Sequence, residues 1–409
     1  MPWLAGGAAF VGLFALAIVV LRLRTGRRLA ALAQGNAQAG VVSGDCPAVD
    51  EVGAEARLGA DEGSVQRFGA YVLLDKIGEG GMAEVFTARL RGARGGARKG
   101  PPVVIKRMRP ELAKEPEAVR HFRQEGELAL KLTHPNIART FEAATLDGIH
   151  YMVQEYVVGR DVGQLTRRMV QLKKRPLSPA AIFHIAHEVL GALEYAHTRR
   201  DHAGSLLGLV HRDVSPENIL ISASGEIKLL DFGIAKLGGL GLATESGAPA
   251  PKDVPSGNLD FMSPEQARGA RVDARSDLFS LGLVMYYCAA RAPLYRGKTL
   301  YDQLVAAAAG PGGDALEYVA GLAPPIPELL RDVLSVDPAA RPRTAKALRD
   351  RLSPHTRGGA AELAAVMSHI FGEKLEQERE RAEAAKGSVP AADKALPAKG
   401  KVVVPQGAL

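Results

Sequence analysis

The chain begins with an apolar run free of charge, Trp3 to Leu21 (WLAGGAAFVGLFALAIVVL), and polarity returns abruptly at Arg22, Arg24, Arg27 and Arg28. Wound as a helix, about 19 residues at about 1.5 Å each rise roughly 28 Å, close to the hydrocarbon thickness of a bilayer. The run therefore predicts a single membrane-spanning helix over 3–21, with the arginines keeping everything after it on the cytoplasmic side. A cleaved signal peptide, cut near Ala31-Leu32-Ala33, is the alternative, but it places its basic residues before the apolar run and here they follow it. With Met1 and Pro2 alone ahead of the span, no external sensor is expected. Residues 22–67 combine the basic cluster with Ala, Gly and small polar residues that show no period, which predicts a juxtamembrane segment and flexible linker.

Periodicity starts near Tyr71. The stretch YVLLDKIGEGGMAEVFTARL reads as strand, tight glycine turn, strand, and VVIK at 103–106 as a short β-branched strand. Then the spacing lengthens. Phe122, Leu128, Ala129 and Leu132 give HFRQEGELALKL one buried helical face. Ser178-Pro179 supplies an N-cap and a first-turn proline for a helix running to about His197, and DARSDLFSLGLVMYYCAA is a second long helical stretch. Leu363, Val366, Met367, Ile370, Phe371 and Leu375 recur at helical spacing, ahead of the charged run EQERERAEAAK. Residues 359–386 thus predict one amphipathic helix, packed on its own core in preference to a partner. Residues 387–409, with several Pro, Ala and Lys, are expected to be disordered.

Bulk composition narrows the classes. A chain of 409 residues exceeds one ordinary core. Cys46 and Cys288 are too few for a disulfide framework or a four-cysteine metal site. The net charge of +7 concentrates in RLRTGRR and RGARGGARK. No aromatic residues interleave with these arginines to stack on bases, so no nucleic-acid partner is expected; a solvated loop or a membrane surface accounts for each run.

Candidate chemistry sits at four places. Gly78, Gly80 and Gly81 let a backbone approach a bound group, though many such turns are plain hairpins. Lys106 ends the β-branched run; alone it reads as a solvated edge residue. Glu125 and Glu127 are acids on the next helix, on different sides of it. Residues 211–218 read HRDVSPEN, and 231–233 read Asp-Phe-Gly.

Together GEGGMAEV, VVIK, HRDVSPEN and DFG occur in the order and rough spacing of the protein-kinase superfamily. The chain resembles bacterial, eukaryotic-like (Hanks-type) Ser/Thr protein kinases over residues 68 to about 353. The resemblance implies an α+β, two-lobed fold: a small β-rich lobe over 68–157 and a larger helical lobe over 158–353, behind the membrane helix. It implies ATP and Mg²⁺ as cofactors, protein substrates and autophosphorylation; the lipid bilayer contacted through one helix is expected from the 3–21 run, and a homodimer stays open. The family's register, counted back from Pro135, selects Glu125 over Glu127.

The family's roles then fall on particular residues. Ile77, Gly78, Glu79, Gly80, Gly81, Met82, Ala83 and Val85 would cover the nucleotide. Lys106, paired with Glu125, would hold the α- and β-phosphates. Val104 and Leu220 would sandwich adenine with Ile77 and Val85. Backbone groups of Glu155 and Val157 would pair with it, behind Gln154 at the gatekeeper position, and Asp161 would reach the ribose. Asp213 would accept the substrate hydroxyl proton, and Asn218 and Asp231 would bind Mg²⁺. Glu265 would pair with Arg341, Asp277 would brace the catalytic loop, and Arg212 would read a phosphate on Thr244, Ser246 or Ser256, unless Asp253 supplies that charge. Three positions depart from the pattern. Ala83 replaces a loop glycine, Ser215 a lysine that touches the γ-phosphate, and Asn258 a threonine that bonds to the catalytic loop. An active kinase is expected; a pseudokinase or adaptor scaffold is the alternative.

Overall fold

The computed structural model describes residues 66–91, 101–201, 203–232, 258–295, 297 and 299–384. The membrane span expected at 3–21, the linker before residue 66, the arginine cluster from residue 92, the Thr244, Ser246, Asp253 and Ser256 positions and the 387–409 tail lie outside those residues. Among the described residues no helix is long and apolar enough to cross a membrane.

The N-terminal lobe is a six-stranded antiparallel sheet in the order β1-β2-β3-β4-β6-β5. Its strands are β1 (Gln66–Phe68), β2 (Tyr71–Glu79), β3 (Ala83–Leu90), β4 (Val103–Met108), β5 (Thr140–Leu146) and β6 (Ile149–Glu155). One helix, α1 (Pro116–Ala129), crosses it. Alternation along the strands splits the lobe into two layers. Phe86 pairs with Ile105 and Ala88 with Val103, and these four bury with Phe68, Tyr71, Leu73 and Val153 on the outer face. On the other face, Val85 pairs with Lys106 and Ala83 with Met108. There Ala83, Met108 and Met152 bury against Phe122 of α1.

Two boundaries differ from the expectation. β4 does not stop at Lys106 but runs to Met108, between β3 and β6, so Lys106 belongs to a central strand and not to a solvated end. Arg107 tolerates this interior strand because its guanidinium stacks on Phe86 at 4.9 Å and on Phe68 at 5.7 Å and bonds Glu84 at 2.7 Å. Helix α1 ends at Ala129, and Leu132 packs into the larger core from the turn beyond it.

The C-terminal lobe is helical. It contains α2 (Val162–Gln171), α3 (Pro179–His197), α4 (Pro264–Ala267), α5 (Ala274–Ala290), α6 (Leu300–Ala309), α7 (Gly313–Ala320), α8 (Ile326–Val333), α9 (Ala345–Leu352) and α10 (Gly359–Ala384). α3 and α5 form its centre; α3 is apolar nearly all round, as a helix enclosed by others must be. Ser178 caps α3 by accepting from the Ala181 N–H, and Pro179 opens it. Where the lobes join lies a small antiparallel sheet of β7 (Gly159–Asp161), β8 (Ile219–Ser222) and β9 (Ile227–Leu229). Gly159 permits this pairing: a β-carbon there would stand 2.2 Å from the Ile221 carbonyl oxygen. The apolar stripe at the C-terminal end packs inward on α10, with Leu363, Met367 and Leu375 buried and Val366, Ile370 and Phe371 against the same core.

Candidate active site

The glycine loop is the turn between β2 and β3. It is closed by Gly80 N–H donating to the Ala83 carbonyl at 2.8 Å and by Lys76, which bonds Glu79 at 2.7 Å and Glu84 at 2.8 Å across the hairpin. A β-carbon on Gly81 would meet nothing within 4 Å. The surrounding protein leaves this space open, so the glycine suits close approach by something from outside the chain. Ala83, in the place of a third glycine, begins β3 and is buried. Behind the loop, Val85, Val104 and Lys106 share one face of the sheet by register. Ile77 is 53% exposed, and Val85, Val104 and Leu220 are only partly covered. These four apolar side chains are thus left at least partly uncovered by the fold's own packing. The Glu155 backbone is paired with Val103, and its carboxylate holds Lys228 at 3.0 Å. Val157 follows in the connection between β6 and β7.

Lys106 Nζ bonds Glu125 Oε1 at 2.6 Å and reaches Asp231 Oδ2 at 3.0 Å. Burial works against the ammonium charge, but the carboxylates of Asp231 and Glu125 outweigh it and raise the Lys106 pKa above that of an ordinary lysine. Asp231 is held below the usual carboxylate range: burial raises it, and Lys106 together with the Gln154 amide more than offsets that. Glu127 stands on the exposed side of α1, 3.8 Å from Arg123, so Glu125 is the buried partner.

The catalytic loop is held from below by one carboxylate. Asp277 accepts the His211 N–H at 2.8 Å, the Arg212 N–H at 2.8 Å and the His197 imidazole at 2.7 Å. Arg212 takes a left-handed φ of 64° and Asp231 a φ of 28°, conformations that a residue with a β-carbon keeps only when its surroundings fix them. Burial lowers the His211 pKa, and the bonds at its two ring nitrogens suit the neutral imidazole. Its Nε2 donates to the Leu230 carbonyl at 2.8 Å while its Nδ1 accepts the Asp213 N–H at 3.2 Å. Its ring lies 4.6 Å from that of Phe232, so one imidazole aligns the segments bearing Asp213 and Asp231.

Asn218 spends its amide nitrogen on Asp213, at 2.8 Å from Oδ2 and 2.8 Å from the carbonyl. Its amide oxygen is the atom it can offer a cation. Asp231 carries Lys106 on one oxygen and Gln154 on the other, at 3.1 Å. A carboxylate has about four lone-pair sites, so it retains capacity for a metal. One carboxylate and one amide oxygen fit Mg²⁺, which commonly takes one or two protein oxygens and completes its shell with water and phosphate. Asp161 caps α2 through a 2.7 Å bond from the Gln164 N–H, and burial pushes its pKa up to about 6.

The structure settles one departure and leaves another bare. Asn258 does bond to the catalytic loop, donating to Glu217 Oε2 at 3.1 Å while capping Asp260. Ser215 is 3% exposed and opens a short 3₁₀ turn with no side-chain capping bond. Glu265 and Arg341 pair at 2.6 and 2.8 Å, buried, with Ser276 on the same carboxylate. Gln266 donates to the Arg212 carbonyl at 2.8 Å, which ties α4 to the catalytic loop. The sequence did not reveal that bond, nor the Gln154–Asp231 bond, because each joins residues more than 50 positions apart and no motif register links them.

A glycine hairpin over a buried lysine–glutamate pair, with aspartate, asparagine and a second aspartate converging below, defines a site of the protein-kinase class. The chain belongs to the protein kinase domain family, whose family model matches residues 71–352. It is 37% identical over 326 residues to the tyrosine-protein kinase MasK of Myxococcus xanthus, covering 78% of this chain and 48% of that protein. It is 36% identical over 232 residues to the serine/threonine-protein kinase PknB of Mycobacterium tuberculosis, covering 56% of this chain and 33% of that one. Among solved structures, the double-mutant PknI kinase domain of Mycobacterium tuberculosis superposes with a TM-score of 0.52 at 26% identity, covering 72% of this chain and 98% of that domain. The chain spans about half or less of the length of these curated relatives.

Proposed function

We propose that this chain phosphorylates protein hydroxyl groups, serine and threonine foremost, and phosphorylates itself. ATP would supply the transferable phosphoryl group, and Mg²⁺ would offset charge on its oxygens. One observation carries this reading: Lys106 is already closed onto Glu125 at 2.6 Å and Asp231 at 3.0 Å. In protein kinases the lysine–glutamate ion pair must be formed for phosphoryl transfer. Lys106 would hold the α- and β-phosphates, Asn218 and Asp231 would hold the cation, and Asp213, bonded by the Asn218 amide at 2.8 Å, would accept the proton of the attacking hydroxyl. A pseudokinase or adaptor scaffold is the weaker reading, because Lys106, Glu125, Asp213, Asn218 and Asp231 are all present. Incorporation of labelled phosphate from ATP and Mg²⁺ into the protein tests it.

A second reading, tyrosine as acceptor, is favoured by Ser215 and Asn258 standing where Ser/Thr kinases carry lysine and threonine, and by the similarity to a relative named a tyrosine kinase. Phosphoamino-acid analysis of the labelled protein separates the two. The uncharged run at 3–21 and the arginines after it support a membrane tether with the kinase domain on the cytoplasmic side. Protease added to intact cells is then expected to leave the domain uncut, and a mature protein beginning near Gln34 refutes the tether. Arg212 and the hydroxyls of Thr244, Ser246 and Ser256 support control by loop phosphorylation.

A further inference from the structure

Arg160 lies in β7 between Gly159 and Asp161. Alternation along the strand sets Arg160 on the opposite face from Asp161. Asp161 pairs with Leu220 and Arg160 with Ile221, so Asp161 and Leu220 share one face, which under the ATP-dependent reading is the nucleotide side, and Arg160 lies on the other. On that other face Arg160 meets α10. Its guanidinium grips the Glu378 carboxylate in a two-bond fork at 2.7 and 3.0 Å. It lies 5.6 Å over the Phe371 ring and bonds the Gly159 carbonyl at 2.7 Å. The pair is largely shielded, with side chains 18% and 30% exposed. This differs from a loose surface pair, because a planar fork fixes direction as well as distance.

The helix that supplies Glu378 begins at Gly359, beyond the 71–352 span of the family match. It is seated tightly: a β-carbon on Gly359 would stand 2.3 Å from the Ala180 carbonyl, and one on Gly225, in the β8–β9 turn, 2.9 Å from the Ala360 carbonyl. Near its start, Glu362 bonds the Ser178 backbone N–H at 2.9 Å, and it also takes the Ser178 hydroxyl. A helix fixed at one end on α3 and at the other on β7 couples the rear of the lobe to the strand that carries Asp161.

We infer that α10 is a brace for nucleotide binding, acting through the Arg160–Glu378 fork as a pair of positioning residues that hold β7, and with it Asp161 and the hinge, in register for ATP. This rests on the ATP-dependent reading of the site. Neither residue touches the reacting atoms, so severing the fork weakens ATP binding while leaving the chemical step in place.

The test uses the full chain with Glu378→Gln, Arg160→Glu, and the reversed pair Arg160→Glu with Glu378→Arg. Glu378→Gln keeps the shape and removes the charge at a site that does not fill the core. Kd for a non-hydrolysable ATP analogue with Mg²⁺, KM for ATP and kcat are measured, with thermal melts alongside. Each single variant is expected to raise Kd and KM by about three- to tenfold with kcat within about twofold, and the reversed pair to recover most of the loss. Parent-like Kd in both single variants overturns the brace. So does a fall in kcat without a change in Kd, or a loss that the reversed pair does not rescue and that follows the melting temperature. A parent that binds no analogue at all fails at the ATP reading itself, and that failure is seen before any variant is compared.

Discussion

Asp277→Ala removes one carboxylate and strands three donors. Asp277 is fully buried on α5, with Oδ1 on the Arg212 N–H and Oδ2 on both the His211 N–H and the His197 imidazole. A buried donor left without an acceptor costs about 1–3 kcal/mol, so with three stranded donors alanine is expected to destabilise the fold by about 3–9 kcal/mol. Asp277→Asn separates the terms. Its single amide oxygen, turned toward the Oδ2 side, serves His211 and His197, and its NH₂ then faces the Arg212 N–H. The expected cost is about 1–3 kcal/mol. The consequence for activity is local: the bond lost is the one that pins Arg212 at a φ of 64°, directly before Asp213. kcat is therefore expected to fall in Asp277→Asn while the Kd for an ATP analogue stays near the parent's. Urea unfolding gives the stability series if the slope is constant, and steady-state assays give the split. Equal midpoint shifts for the two variants, or an unchanged kcat in Asp277→Asn, refute the three-donor account.

Arg341→Met leaves Glu265 buried without its partner and is expected to cost about 3–5 kcal/mol in urea unfolding. Burial pushes Glu265 up, but Arg341 and Ser276 together hold it below the usual range. Its stabilisation is thus present above about pH 4.3 and lost as pH falls through the lower folded value, so the gap between parent and variant is expected to narrow below about pH 4. Asp161, raised to about 6, gains its charge as pH climbs through that value; adenosine, whose lack of phosphate avoids a second titration, is expected to bind more tightly at pH 7 than at pH 5, and Asp161→Asn to flatten the profile. Phosphatase treatment of active protein is expected to lower its rate through loss of a loop phosphate near Arg212; an unchanged rate, together with an unchanged rate in Asp253→Asn, refutes control through Arg212.

Much of the site was legible because its residues lie in short local patterns. The glycine turn, the Ser178-Pro179 helix start and the inward stripe of α10 follow from spacing alone. The Lys106–Glu125 and Glu265–Arg341 pairs came through the family's register, since nothing local tells Glu125 from Glu127. What stayed hidden has physical reasons. β7, β8 and β9 have only 3, 4 and 3 residues, too few for alternation to show. The continuation of β4 past Lys106 was masked by two cations whose burial depends on Glu125, Glu84 and two phenylalanine rings. Gln154–Asp231 and Arg160–Glu378 join residues 77 and 218 positions apart, and only the folded chain brings them together.

The most direct measurement of the central claim is phosphate transfer by the parent, Lys106→Met and Asp213→Ala, each incubated with labelled ATP and Mg²⁺ and paired with ATP-analogue binding. The parent is expected to label itself. Both variants are expected to fall by about 100-fold or more, with analogue binding weakened further in Lys106→Met, which loses the phosphate contact, than in Asp213→Ala, which loses the base. Labelling of both variants at the parent's level would contradict the assignment of Lys106 and Asp213, and with it the proposed activity.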